Sequence, residues 1–173
     1  VGTPGGAPVE EEADWPMLKV GAPAPDFEGV DCGGQPVRLR DFRGRRVVLF
    51  FFPKAFTVGC TQEVRHFRDH QARIQELGAE LIGVSVDNVA KQCAFAKQER
   101  IEFPLLGDSD RTLSELFGVL WPLLRLDRRV TFVIGPQGVV ENVIQHEVRV
   151  SQHLEDVLET LQRHTGASAL VQP

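Results

Sequence analysis

The chain has only three cysteines in 173 residues, Cys32, Cys60 and Cys93, and they are widely spaced. An odd count at that spacing argues against a disulfide scaffold. The absence of any CxxC removes both a zinc ribbon and a vicinal dithiol redox pair. Positive charge is also short: 19 Lys and Arg stand against 24 Asp and Glu, a net −5. A nucleic-acid binder favours a basic surface, so no nucleic-acid partner is expected. Long apolar runs are missing as well. The longest, Val47 to Phe52, falls far short of the roughly 18 residues that a membrane span needs, so no membrane partner is expected either.

What remains suits one folded unit. With 42% hydrophobic residues, the chain can build a full core without disulfides or a structural metal. Few thiols and no scaffold fit a reducing compartment in which one or two cysteines do chemistry. Residues 1–16, VGTPGGAPVEEEADWP, combine Gly, Pro and acid with little to bury, and read as a flexible tail ahead of a domain over 17–173. Residues 1–20 do not read as a secretory signal, and a cytoplasmic location is expected. Val rather than Met at position 1 leaves an upstream segment open.

Along the chain, Gly33-Gly34 marks a tight turn between short strands, an N-terminal β-hairpin. RRVVLFFF is a continuous apolar strand of the kind buried on both faces of a sheet. Val64, Phe67, Ile74 and Leu77 form one helical face from Cys60 onward, with Gly78 as the stop. ELIGVSV is the next buried strand. Asn88 can cap a helix carrying Val89, Cys93 and Ala96 on one stripe. FPLLGD is a short strand or turn, and Leu113, Leu116 and Phe117 mark a helix ending at Gly118. RVTFVIGPQGVVENVI is a hairpin around Gly135-Pro136-Gln137-Gly138. Ser151 to His164 closes the chain with Leu154, Val157, Leu158 and Leu161 on one helical side. Alternating strands and helices give an α/β class, a central mixed β-sheet flanked by helices.

The stretch FFPKAFTVGCTQEVRHFRD, from Phe51 to Asp69, carries the chemistry. It passes from an apolar strand through a polar turn into a helix, with Cys60 at the junction. The first turn of a helix leaves N–H groups unpaired, and its dipole favours negative charge, so a thiolate is stabilised there. Thr57 offers a hydroxyl that can cap the helix, or donate to the sulfur or to a bound oxygen. Pro53 fixes φ in the turn. A free thiol is roughly 3% ionised at pH 7, so complete ionisation gains only about thirtyfold. Enzymes commonly need about 10⁶. The remainder calls for a fixed cation aimed at the reacting sulfur.

PKAFTVGC resembles the peroxiredoxin pattern P-x-x-x-T-x-x-C, with Pro53, Thr57 and Cys60 in register. The likeness runs from GAPAPDFEGVDCGGQPVRLRDFRG through LIGVSVD, FPLLGD and RVTFVIGPQG, and is nearest to the Q-type or bacterioferritin comigratory protein branch. It implies a thioredoxin-like fold and a thiol peroxidase that needs no metal, haem or flavin. Cys60 would be the nucleophile that becomes a sulfenic acid. Thr57 and the N–H groups near Val58 to Cys60 would hold the peroxide. Arg129, before VTF, would be the cation, and Glu63 would orient it. Val58 stands where relatives have Pro. Arg65 stands where many Q-type proteins carry a resolving cysteine in the same helix. Others use the following helix, where Cys93 lies, although the expected place falls nearer Ala96.

Each residue also has a plainer role. Cys93 could pack on its stripe, Cys32 reads as a bystander, Glu63 suits any helix first turn, and Arg129 could be a surface charge like Arg125 and Arg128. His66 and His70 read as surface residues, and Trp121-Pro122 can line the pocket or a subunit contact. The resemblance implies peroxide as substrate, thioredoxin or a similar dithiol protein as reductant, and a monomer or weak dimer. The alternatives are a one-cysteine peroxidase recycled by an external thiol, and a non-enzymatic redox sensor or holdase. A thioredoxin-type reductase is disfavoured because Thr57 occupies the place of its second cysteine.

Overall fold

The computed structural model describes residues 16–147 and 149–169, with side chains through residue 166. The expected tail at 1–16 lies, apart from Pro16, outside the described residues. The sheet is built on β3 (Arg46–Phe51). β3 pairs parallel with β4 (Ala79–Ser85), and β4 parallel with β5 (Leu105–Gly107). On its other side β3 pairs antiparallel with β6 (Val130–Ile134), and β6 with β7 (Val140–Gln145), giving the order β5-β4-β3-β6-β7.

Alternation along β3 divides the core in two. Val48, Phe50 and Phe52 face α1 (Val58–Asp69), α2 (Gln71–Glu76) and α5 (Val150–Ala169), packing with Val64, Phe67, Ile74, Val157 and Leu161. Val47, Leu49 and Phe51 face the opposite layer with Phe117, Val119, Phe132 and Val140. Both sets are fully buried, as a continuous apolar strand at a sheet centre requires. Each such side chain contributes about 1.5–3 kcal/mol relative to exposure.

Four details differ from the expectations. The helix expected to run unbroken from Cys60 to Leu77 is two helices, because His70 leaves helical geometry at φ −109° and ψ 8°. The buried face nonetheless continues through Val64, Phe67 and Ile74, and Gly78 takes the left-handed stop at φ +81°. In α3 (Val89–Glu99) the core-facing side is Gln92, Phe95, Ala96 and Glu99, whereas Val89 is exposed and Cys93 half-buried. Asn88 does cap α3, accepting from Lys91 N at 2.8 Å. α4 (Thr112–Phe117) ends at Gly118 as expected, but Leu116 points outward.

The fourth difference concerns the hairpin of β1 (Glu28–Val30) and β2 (Pro36–Arg38). Its turn is held by Asp31 Oδ1, which accepts from Gly33 N at 2.8 Å and Gln35 N at 2.9 Å. β1 leans on β5, where Gly29 lies against Leu106. The turn therefore reaches α3, and Cys32 is disulfide-bonded to Cys93, with Cα atoms 5.4 Å apart at a sequence separation of 61. Cys32 is thus no bystander.

Candidate active site at the start of α1

The site follows from strand register. Phe51, the last residue of β3, pairs with Val130, the first of β6. The chain leaving β3 and the chain entering β6 are therefore side by side. That places Arg129, one residue before β6, next to the loop that turns into α1. The loop is anchored from the other side by Ala55 N, which donates to Asp87 Oδ2 at 2.7 Å beyond the end of β4. Burial alone would raise the Asp87 carboxyl. The Ala55 N–H, Lys91 and Ser85 outweigh that and hold it below its ordinary value. Phe56 in this loop takes a left-handed φ of +66°, uncommon for a bulky residue.

Cys60 is the third residue of α1 and only 1% exposed. The first backbone bond of the helix runs from Thr61 N to Thr57 O at 2.9 Å, so the N–H groups of Val58, Gly59 and Cys60 have no acceptor within it. Arg129 Nη2 lies 3.6 Å from Cys60 Sγ, and Arg129 Nη1 pairs with Glu63 Oε2. Glu63 is one helical turn beyond Cys60 and equally buried. The guanidinium is fixed from a third side by Nε donating to Glu147 O at 3.3 Å. Gly59 permits the approach: a Cβ there would lie 3.2 Å from Arg129 Nη2.

Burial pushes the Glu63 carboxyl up to about 7, against the pull of Arg129, and Glu63 Oε1 has no protein partner. Burial also works against the Arg129 cation, but Glu63 and the Cys60 sulfur together outweigh it and strengthen the charge. The pocket thus holds a fixed positive group beside sulfur in a water-poor setting, where such contacts are strongest.

Thr57 stands at the N-cap without capping. Its hydroxyl donates to Lys54 O at 2.8 Å, which leaves the oxygen lone pairs free to accept. Pro53 is half-buried at the start of the loop. Of the three neighbouring arginines only Arg129 reaches the sulfur. Arg128 stacks over Trp121 at 4.4 Å, and Arg125 lies 3.8 Å from Glu115. Cys93, the expected partner of Cys60, is bonded to Cys32 instead, and Cys60 is a free thiol.

His153 on α5 was not anticipated. It is fully buried, its Nε2 is paired with Thr131 Oγ1, and it lies against Phe67. Burial, with His146 and Arg129 adding to it, pushes it down to about 4, so it is neutral beside the arginine. Its place on the Leu154–Val157–Leu161 stripe was the sequence signal. Among the described residues no cluster of His, Cys, Asp or Glu is suited to a metal, and no helix is long and apolar enough to cross a membrane.

Residues 20–143 match the AhpC/TSA family. The peroxiredoxin Bcp of Escherichia coli is 35% identical over 153 residues, covering 85% of this chain and 97% of that protein. The crystal structure of peroxidoxin BcpB from Mycobacterium tuberculosis superposes with a TM-score of 0.79 at 40% identity, over 85% of this chain and 98% of that one. A Xanthomonas campestris bacterioferritin comigratory protein with alkyl peroxide reduction activity gives 0.74 at 30% identity, over 80% and 92% of the two chains.

Proposed function

Since this chain belongs to the AhpC/TSA family, as a thiol peroxidase with the thioredoxin-like fold of the Bcp and peroxiredoxin Q proteins, we propose that Cys60 is its peroxidatic cysteine. The Cys60 thiolate attacks one oxygen of the peroxide, and the O–O bond breaks. The attacked oxygen stays bonded to sulfur as sulfenic acid, and the departing oxygen takes a proton to become water or an alcohol. Arg129 holds negative charge on sulfur before the attack. The N–H groups of Val58, Gly59 and Cys60 receive the peroxide oxygens. Thr57 Oγ1, its hydrogen committed to Lys54 O, accepts the peroxide O–H. Glu63 and Glu147 keep the guanidinium in place, and Pro53 and Phe56 shape the loop.

Peroxide is the substrate and a thiol the reductant. A dithiol protein such as thioredoxin, a cytoplasmic setting and a monomeric enzyme complete the proposal, with Cys93 as resolving cysteine. The observation that carries the assignment is the contact of Arg129 Nη2 with Cys60 Sγ at the open end of α1. The test is steady-state peroxide consumption with dithiothreitol as reductant. The wild type turns over many equivalents, Cys60→Ser none, and surviving turnover in that variant would refute the assignment. A single stoichiometric oxidation of the wild type would instead mark a sensor.

A further inference from the structure

Two sulfur sites coexist here, and they are unequally reachable. Cys60 is buried behind Arg129, whereas Cys32 is exposed at a hairpin turn and Cys93 half-buried beneath it. A shallow cavity of about 170 Å³, lined by Asp31, Cys32, Gly33, Ile101 and Phe103, opens beside the Cys32 end of the disulfide. A protein-sized reductant can reach this bond but not Cys60.

We propose that Cys32 is a third redox-active cysteine that receives the oxidation from the Cys60 site through Cys93, in an intramolecular disulfide relay. The inference rests on the peroxidase reading above. Cys60 sulfenic acid condenses with the Cys93 thiol, forming a Cys60–Cys93 disulfide and releasing water. The Cys32 thiolate then attacks Cys93 Sγ. The Cys32–Cys93 bond forms, the Cys60–Cys93 bond breaks, and Cys60 departs as thiolate. An external dithiol reduces the Cys32–Cys93 bond, itself becoming a disulfide.

The geometry explains why the second step runs forward. In the fold Cys60 faces Arg129 and the core, while Cys93 faces the hairpin. Cys60 Sγ lies 3.6 Å from Arg129 Nη2 and Cys93 Sγ is directed to Cys32, so a Cys60–Cys93 bond draws the Cys60 sulfur away from the guanidinium and opens the first turn of α1. That turn is weakly held, since Thr57 makes no side-chain cap and Val58 is 77% exposed. Moving the bond to Cys32 lets α1 close again and returns Cys60 to Arg129. The folded state with Cys32 bonded to Cys93 keeps every contact of the peroxidatic pocket, which a Cys60–Cys93 link cannot.

The experiment titrates fully reduced protein, freed of reductant, with hydrogen peroxide and maps the products by mass spectrometry with a sulfenic-acid trap. The relay predicts that wild type consumes two equivalents. The first leaves Cys32–Cys93 with Cys60 as thiol, and the second leaves Cys60 as sulfenic acid. Cys32→Ser then consumes one equivalent and stops at Cys60–Cys93. Cys93→Ser consumes one and stops at Cys60 sulfenic acid. Reduced wild type alkylated at exposed Cys32 serves as a second Cys32 block should the serine variant fold poorly, and it also stops at one equivalent. A wild type that stops at one equivalent with Cys60–Cys93 overturns the relay while leaving the peroxidase intact. A Cys32–Cys60 link in Cys93→Ser overturns the order of transfer. Stoichiometric consumption by Cys60→Ser overturns the peroxidase reading itself.

Discussion

The surroundings of Cys60 and those of the Cys32–Cys93 pair differ in what they exclude. Around Cys60 the protein has removed water and gathered charge: a cation, a carboxyl held near neutrality and unpaired amides converge on one sulfur. Around Cys32 it has gathered almost nothing, only a glycine turn, an Asp31 that fixes that turn, and open access. The contrast separates two tasks. Attack on a small peroxide gains from preorganised charge in a low-dielectric pocket, and a small molecule can enter where a protein cannot. Exchange with a dithiol protein needs an accessible sulfur and little else.

If the contrast is right, removing charge damages one region only. Arg129→Ala should lower kcat/KM for peroxide by about 10²–10³, the usual cost of one preorganised donor. Arg129→Lys should recover part of it, as a point charge without the planar fork. The rate at which an external dithiol reduces Cys32–Cys93 should not change. Stopped-flow measurement of both steps checks this, and an equal loss in both would erase the distinction.

The converse perturbation is reduction of Cys32–Cys93. Opening a loop of this length lowers stability by about 4 kcal/mol in the chain-entropy account, read as a lower urea midpoint. Sulfenic acid formation at Cys60 should keep its rate, because among the described residues the hydrogen bonds and ion pairs that hold Cys60, Arg129, Glu63 and Thr57 run to partners outside the hairpin. A slowed Cys60 reaction would mean that the two regions are mechanically one.

Burial of charge also gives the pocket its own pH signature. Folded Glu63 keeps its proton up to about pH 7, whereas in the unfolded chain it ionises near 4.3. The folded state therefore binds more protons between those values, and stability falls as pH rises through that window. From pH 5 to 7 the loss attributable to Glu63 is about 2 kcal/mol. His153, pushed down to about 4, acts oppositely, raising stability from about pH 4 to 6.5. Glu63→Gln should remove the first trend and leave the second. Denaturation midpoints for both proteins from pH 5 to 8 test it, and parallel curves would show that Glu63 titrates normally.

The two regions were also unequally legible in the sequence. Cys60 could be read from its place where RRVVLFFF ends and a helix begins, whereas Arg129 and Glu63 were marked by the resemblance to the peroxiredoxin pattern; the antiparallel register that brings Arg129 to Cys60 belongs to the fold. The rim could not be read that way. Cys32 and Cys93 meet only because the hairpin leans on β5 and α3, a packing choice that leaves no period in either segment. The stripe assigned to Val89, Cys93 and Ala96 failed for a related reason. Gln92 is drawn inward by its bond to Leu106 O at 2.9 Å, which turns the helix so that Phe95 meets the core. His153 went unnoticed because a histidine on an apolar stripe looks like an interruption of it.

The finest probe of the contrast is a single methyl group. Gly59 is not at positive φ, so alanine fits its backbone, and replacing glycine within a helix gains up to about 1 kcal/mol. The new Cβ, however, would press on Arg129 Nη2 at 3.2 Å. The guanidinium must move by a few tenths of an ångström, away from the position that serves the sulfur. Gly59→Ala should therefore raise the thermal midpoint slightly while lowering kcat/KM about fivefold to tenfold, roughly 1 kcal/mol in the barrier. Opposite signs in the two measurements are what a strained approach of cation to sulfur requires. If activity held steady while stability rose, Arg129 would have room to spare, and its closeness to Cys60 would owe nothing to the missing side chain.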